Sequence, residues 1–208
     1  MTPEQKAAWL QARAGKLSAS RMADAMDTLK SGKPGARRVA LMKELLAERM
    51  TGDSVPHYVD ARMQRGLDLE PAGKSEFEMR TGLMLTGCGF IEHASIADFG
   101  ATPDSLIGAD AVFEMKAPDT VRHIDYLLAG NVVPEQYRPQ VLAQLACTGR
   151  TRAYFMSYDP RILNATKQVH IVQWTPAREE IEAVECAARE FLAELEAMWD
   201  AIHTEEAA

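Results

Sequence analysis

The stretch TPDSLIGADAVFEMKAP, residues 102–118, constrains the fold more than any other part of this chain. Val112, Phe113 and Met115 belong in a buried strand, yet Glu114 and Lys116 sit among them. Residues i and i+2 of a strand face the same side, so Glu114 and Lys116 share one face while Phe113 and Met115 share the other. A carboxylate and an ammonium on so apolar a strand must be solvated or paired. Asp104 follows Pro103 at the turn into SLIGA, and a hairpin at about 108–110 brings it alongside Glu114.

The rest of the chain narrows the chemistry. At 208 residues it is long enough for one full domain with a sizeable core, and a single domain over 1–208 is the expectation. The 47% apolar and 25% charged fractions are those of an ordinary soluble protein. No apolar run is long enough to span a membrane, and the N-terminus lacks a signal core, so a cytoplasmic location is expected. Cys88, Cys147 and Cys186 lie far apart without a CxxC pair, which suits a reducing compartment and excludes a zinc knuckle. The five histidines are scattered too, so any metal would have oxygen ligands, which means Mg²⁺, Mn²⁺ or Ca²⁺.

The net charge of −7 argues against a nucleic-acid partner until its distribution is considered. Lys30, Lys33, Arg37 and Arg38 crowd into KSGKPGARR, whereas much of the acid lies in the last 31 residues. A basic front and an acidic tail are compatible with DNA binding on one face. They are equally compatible with a solvated loop and a solvated helix face.

Local signals order the elements. TPEQKAAWLQARAG reads as a helix, with Thr2 as N-cap, Gln5 completing a capping box and Gly15 as the stop. Helical patterns follow from Ser18 and over RRVALMKELLAERMTG, closed by Gly52. A longer helix is expected from about Tyr58 to Arg80, with a kink at Gly66 or within 71–73. LMLTG, GFIEHA, SLIGA and AVFEMKA read as strands of a buried sheet. Helices around VRHIDYLLAG and PEQYRPQVLAQLACTG, strands RAYFMSYD and QVHIVQW, and an amphipathic helix over about 176–199 complete the chain. The pattern is that of an α/β or α+β layered domain.

Asp104, Glu114 and the Met115 carbonyl make a hard-oxygen set for a divalent cation, with Lys116 beside it. Phosphodiester cleavage needs that combination: a cation that acidifies water, and an ammonium that orients the water or offsets charge on phosphate oxygens. A surface ion pair on an edge strand is the competing reading of Glu114 and Lys116. A Pro-Asp ten residues before an E-x-K, in strand context, matches the PD-(D/E)XK nuclease pattern.

Beyond that pattern, the chain resembles the lambda exonuclease, or YqaJ-type viral recombinase nuclease, family. The likeness rests on WLQARAGKLSAS, RGLDLEPAGKSEFE, TPDSL followed by FEMK, QYRPQVLAQLACTGR and YFMSYDPR, in that order. The resemblance implies an α/β PD-(D/E)XK nuclease-like fold, a mixed central sheet flanked by helices. It implies that Asp104, Glu114, Glu70 and the Met115 backbone hold Mg²⁺, two ions per active site with Mn²⁺ as a substitute. Lys116 would then activate or orient the attacking water, with Gln140 beside it. Arg13 and Ser20 fall on the family's pocket for a 5′-phosphate, Lys30 on a further basic position, and Met63 on an apolar wedge at the duplex end. Ser105 stands where the family usually has Gly, and Ala117 where Cys is common. Asp98 is the nearest candidate for an additional acidic residue near the site.

The activity so implied is Mg²⁺-dependent 5′-to-3′ exonuclease digestion of one strand of linear double-stranded DNA. It yields 5′-mononucleotides and a 3′ single-stranded overhang, in a homotrimeric ring, with a single-strand-annealing recombination protein as partner and a phage or prophage origin. The alternatives are a PD-(D/E)XK endonuclease and a non-catalytic DNA-end-binding module.

Overall fold

The structure, a computed structural model, describes residues 3–55 and 60–204. Thr2 and Tyr58, the expected starts of two helices, lie outside the described residues, as does the side chain of Gln5. The elements in chain order are α1 (Pro3–Arg13), β1 (Leu17–Ser18), α2 (Met22–Ala25), α3 (Ala36–Thr51), α4 (Ala61–Thr81), β2 (Leu85–Thr86), β3 (Ile91–Glu92) and β4 (Phe99–Ala101). There follow β5 (Ser105–Ile107), β6 (Ala111–Lys116), α5 (Thr120–Ala129), α6 (Arg138–Thr148), β7 (Arg152–Tyr158), β8 (Val169–Trp174) and α7 (Arg178–Thr204).

Local chemistry explains most boundaries. Gly52 and Gly82 close α3 and α4 in the left-handed conformation that side chains resist. Asp60 opens α4: its carboxylate accepts the Arg62 and Met63 N–H groups, each at 2.8 Å. The helix then runs unbroken through Gly66, Pro71 and Gly73, with Pro71 on its exposed side. At Gly73 a Cβ would lie 2.3 Å from Met115 Sδ, so the missing side chain lets α4 lie close against β6.

Five strands form a mixed sheet in the order β2-β5-β6-β7-β8. β5 and β6 are the expected hairpin, while β6 and β7 run parallel over six residue pairs, joined through α5 and α6. β6 is therefore central, and the edge-strand reading of Glu114 and Lys116 fails. A second, three-stranded sheet in the order β1-β4-β3 takes in Leu17 and Ser18, and the helix expected from Ser18 starts directly after it, as a 3-10 turn over Ala19–Arg21 that leads into the short α2. There the Leu17 N–H donates to Asp98 O at 2.8 Å and β1 pairs with β4, which holds Ser18 extended at the head of that helix. Gly100 is needed on β4: a Cβ there would sit 2.9 Å from the Ile91 carbonyl and 2.3 Å from the Phe90 ring. Gly100→Ala is expected to lower the unfolding free energy by about 1–3 kcal/mol, read as a shift of the urea midpoint at unchanged slope.

Helices cover both faces of the large sheet. One face packs Val112, Phe155 and Val172 beneath α2, α3, α6 and α7. The other packs Phe113, Met115, Tyr154 and Met156 against Phe77 of α4, with the Phe77 and Phe113 rings 4.6 Å apart. This α/β arrangement agrees with the expected mixed sheet flanked by helices. No helix among the described residues is long and apolar enough to cross a membrane.

The charge asymmetry has an internal use. Arg38 of α3 is buried, pairs with Glu194 of α7 at 2.9 Å and lies over the Phe191 ring. Arg49 pairs with Glu196 at 2.9 Å, and Arg37 with Asp27 at 3.0 Å. Two of the four basic residues of KSGKPGARR are thus engaged in ion pairs within the chain, Arg38 in the interior and Arg37 at the surface.

Candidate active site

Two backbone features assemble the charged cluster. The register Ser105 with Phe113 places Asp104 across from Glu114, and the Met115 N–H donates to Asp104 Oδ2 at 2.7 Å. Strand alternation then turns Glu114 and Lys116 to the face covered by α6. Glu114 is only 1% exposed, and its carboxylate accepts from three donors among the described residues. Oε1 accepts from Lys116 Nζ and from Gln140 Nε2, the latter at 2.6 Å, and Oε2 accepts from Gln144 Nε2 at 2.6 Å. The Lys116 ammonium stands 5.2 Å over the Tyr137 ring, which itself stacks on Phe155.

Glu70 reaches the cluster from α4 through Lys74. Lys74 Nζ pairs with Glu70 Oε1 at 2.6 Å and donates to the Asp104 carbonyl at 2.6 Å. Lys116 thus pairs with Glu114 and Lys74 with Glu70, while the Asp104 carboxylate accepts from the Met115 N–H. Burial, and then the Glu114 and Glu70 charges, push the Asp104 carboxyl up to about 8 against the pull of Lys116. Burial opposes the charge on Lys116, but Glu114 and Asp104 outweigh it and hold the amine above its usual value.

Among the described residues no group of three or more His, Cys, Asp and Glu side chains is drawn together to hold a metal ion. The donor chemistry nonetheless fits a hard divalent cation. Asp104 and Glu114 offer oxygens from adjacent strands beside the Met115 backbone, and the raised proton affinity of Asp104 marks a place short of positive charge.

Beside this cluster lies a cavity of about 160 Å³. Trp9 and Arg13 of α1, Ser18 and Ser20, Thr102, and Gln140 and Gln144 of α6 line it. The Arg13 guanidinium stacks 4.1 Å from the Trp9 ring centroid and donates to Ser18 Oγ at 3.0 Å. Ser18 Oγ in turn lies 3.2 Å from Ser20 Oγ, and Trp9 Nε1 donates to Thr102 Oγ1 at 3.1 Å. Burial pulls the Arg13 pKa down and Glu48 partly restores it. Yet among the described residues no carboxylate forms an ion pair with Arg13. A half-buried guanidinium so placed suits an anionic ligand. Thr102 stands two residues before Asp104, so the cavity and the carboxylate cluster share one stretch of chain as well as both glutamines.

The structure brings together Asp104, Glu114, Lys116, Glu70 and Gln140, and it brings Arg13 and Ser20 into one cavity. Lys30 is not among the cavity's lining residues; it stands exposed on the turn between α2 and α3. Met63 is 52% exposed on the first turn of α4, one turn before the equally exposed Leu67, so it is not a core residue. Asp98 holds a left-handed turn at φ 56° and pairs with Arg49 at 2.8 Å. Sequence reasoning missed Lys74, Thr102 and Gln144. A signal existed for Gln144, an amide four residues after Gln140 in the otherwise apolar run VLAQLAC.

The sequence pattern of the YqaJ-like viral recombinase domain family matches residues 8–151, an interval that holds every residue of the cluster and the cavity. Among solved structures, LHK-Exo in complex with dAMP is 36% identical, with a TM-score of 0.88 over 96% of this chain and 97% of that one. A second structure, described as an alkaline exonuclease (LHK-Exo) from Laribacter hongkongensis, gives 36% and 0.87 over the same shares. A phage related exonuclease from Haemophilus somnus 129PT shares the fold at 13% identity, with a TM-score of 0.66 over 88% and 96% of the two chains. No curated protein matches the sequence.

Proposed function

The chain belongs to the YqaJ-like viral recombinase domain family, and from that membership we propose that it is a Mg²⁺-dependent 5′-to-3′ exonuclease. One nuclease domain over 1–208 would digest one strand of linear double-stranded DNA to 5′-mononucleotides and leave a 3′ single-stranded overhang. One observation carries the reading: the Arg13 cavity and the Asp104–Glu114–Lys116 cluster share Gln140 and Gln144. A phosphate held in that cavity lies next to the cleavage residues, so cutting is tied to a strand end. The dAMP complex of LHK-Exo supports a mononucleotide product.

Asp104, Glu114, Glu70 and the Met115 carbonyl are the groups that would hold Mg²⁺, two ions with Mn²⁺ as a substitute. When bound, the metal supplies Lewis acidity and lowers the pKa of water. The chain's own residues do the rest. Arg13 and Ser20 seat the terminal phosphate, the first by a planar fork of donors. Lys116, kept as an ammonium by Glu114 and Asp104, orients the attacking water and offsets charge gathering on the phosphoryl oxygens. Met63, exposed at the start of α4, would wedge apart the duplex end, and Lys30 would touch the backbone farther from the cut. Three copies in a ring would tether the DNA without a strongly basic surface, and the exposed apolar stripe Val121, Ile124 and Leu128 of α5 offers a face for such assembly. A single-strand-annealing recombination protein would receive the overhang.

The test uses linear duplexes with 5′-phosphate or 5′-hydroxyl ends and a closed circle, each with Mg²⁺ and with chelator. Mg²⁺-dependent loss of the 5′-phosphorylated strand with the circle intact is expected. A nicked circle would move the protein to endonucleases, and no cleavage at all to end-binding modules. Arg13→Ala is expected to reduce the preference for phosphate over hydroxyl ends by about 10- to 100-fold, the worth of one charge-assisted pair. Relative initial rates on the two ends measure it.

A further inference from the structure

We propose that Gln144 is a positioning residue that couples filling of the Arg13 cavity to the setting of Glu114; the proposal rests on the phosphate-pocket reading above. Gln144 is fully buried on a face of α6 whose neighbours, Val141 and Leu145, are apolar. A leucine would suit that place unless the amide is used. Its Nε2 donates to Glu114 Oε2 at 2.6 Å, and a carboxylate can only accept, so the orientation of the amide is fixed. That orientation leaves Oε1 buried and, among the described residues, without any hydrogen-bond partner. Buried acceptors are seldom left so, and this side chain lines the cavity.

The missing donor therefore has to come with the cavity's occupant. A terminal phosphate carries its own water, and such a water can donate to Oε1 while it solvates the phosphate. Gln140, one helical turn earlier, lines the same cavity and holds the other Glu114 oxygen at 2.6 Å. Both oxygens of Glu114 are thus gripped by amides that border the pocket. With the pocket filled, Gln144 is bonded at both ends and its rotamer is locked, which locks Glu114. With a 5′-hydroxyl end, Gln144 stays half-paired and Glu114 is less firmly set. The phosphate then acts on the rate of cutting as well as on binding.

The experiment compares the parent chain with Gln144→Leu and Gln144→Met on duplexes ending in 5′-phosphate or 5′-hydroxyl. Single-turnover rates are read at saturating enzyme with Mg²⁺, and Kd by fluorescence anisotropy in chelator. The expected result is a fall of about 10- to 100-fold in the phosphate-to-hydroxyl rate ratio, as for other outer partners of metal-ligating groups. Kd for the phosphorylated end should stay within about threefold, which a pocket contact alone would not allow. Equal slowing on both ends would overturn the coupling and leave Gln144 as a plain support for Glu114. Weaker binding with an unchanged rate ratio would overturn it as well. A parent that ignores the 5′-phosphate would remove the pocket reading, and the coupling with it, and the parent's rates alone would reveal that. Two variants of similar volume keep the comparison open if one folds poorly, as thermal melts would show.

Discussion

Lys116→Ala is expected to slow strand cleavage by about 10³-fold or more while end binding stays within about threefold. In the proposed role the ammonium is a donor aimed at the place where charge gathers, and loss of one such donor alone costs about 10²–10³-fold. Two further effects add to it here. Lys116 is the only amine that pairs with Glu114 among the described residues, so the variant leaves a carboxylate that is 1% exposed with neutral amides as its remaining partners. The Tyr137 ring also loses the cation that sits 5.2 Å above it. Stability should therefore fall too, by about 1–3 kcal/mol, because one member of a buried pair is gone. Lys116→Met keeps the aliphatic stem over Tyr137 and separates packing from charge. Single-turnover cleavage beside anisotropy in chelator gives both readouts, and normal turnover in either variant would end the role assigned to this lysine.

Asp104→Asn is expected to abolish cleavage and, in chelator, to make the protein more stable. The sign follows from the raised carboxyl. Asp104 titrates at about 8 in the folded chain, well above an ordinary aspartate, so between about pH 4 and 8 the folded state holds a proton that the unfolded state has released. Stability consequently declines as pH rises through that window and levels off above it. Asparagine removes the titration and keeps an oxygen for the Met115 N–H, now received by Asp104 Oδ2 at 2.7 Å. A gain on the order of 2 kcal/mol at pH 8 is expected, shrinking toward pH 5. Urea unfolding of both proteins in chelator at pH 5, 6.5 and 8 measures it. A variant that is less stable at pH 8 would mean that the Asp104 charge is already compensated in the metal-free protein.

The strand of the candidate site was legible because its signals are local. Asp104, Glu114 and Lys116 fall within thirteen residues of one hairpin, so alternation and a turn suffice to align them. The cavity was less so. Arg13 and Ser20 could be read only through resemblance, Gln144 only as an amide out of place in an apolar run, and Thr102 not at all, because α1, the stretch after β4 and α6 meet only in the folded chain. Strands of two or three residues such as β1 and β4 are too short to show alternation, which is why neither was read, although the helical stretch that Ser18 opens was. The charge pattern stayed ambiguous for the same reason. Arg38 and Glu194 are a pair, yet 156 positions separate them.

The placement of β6 in mid-sheet has a consequence for how this chain can be trimmed. The matched interval stops at residue 151, just before β7 begins, so the strand that carries Glu114 and Lys116 takes its whole parallel neighbour from outside it. What β7, β8 and α7, about the last quarter of the chain, supply there is mainly a ladder partner and apolar cover. Cut at the boundary of the match, the chain would present a long, flat, greasy edge with every ladder group on one side unpaired. Such an edge seeks another edge, and a fragment that kept every residue of the site would sooner stack into aggregates than cleave DNA.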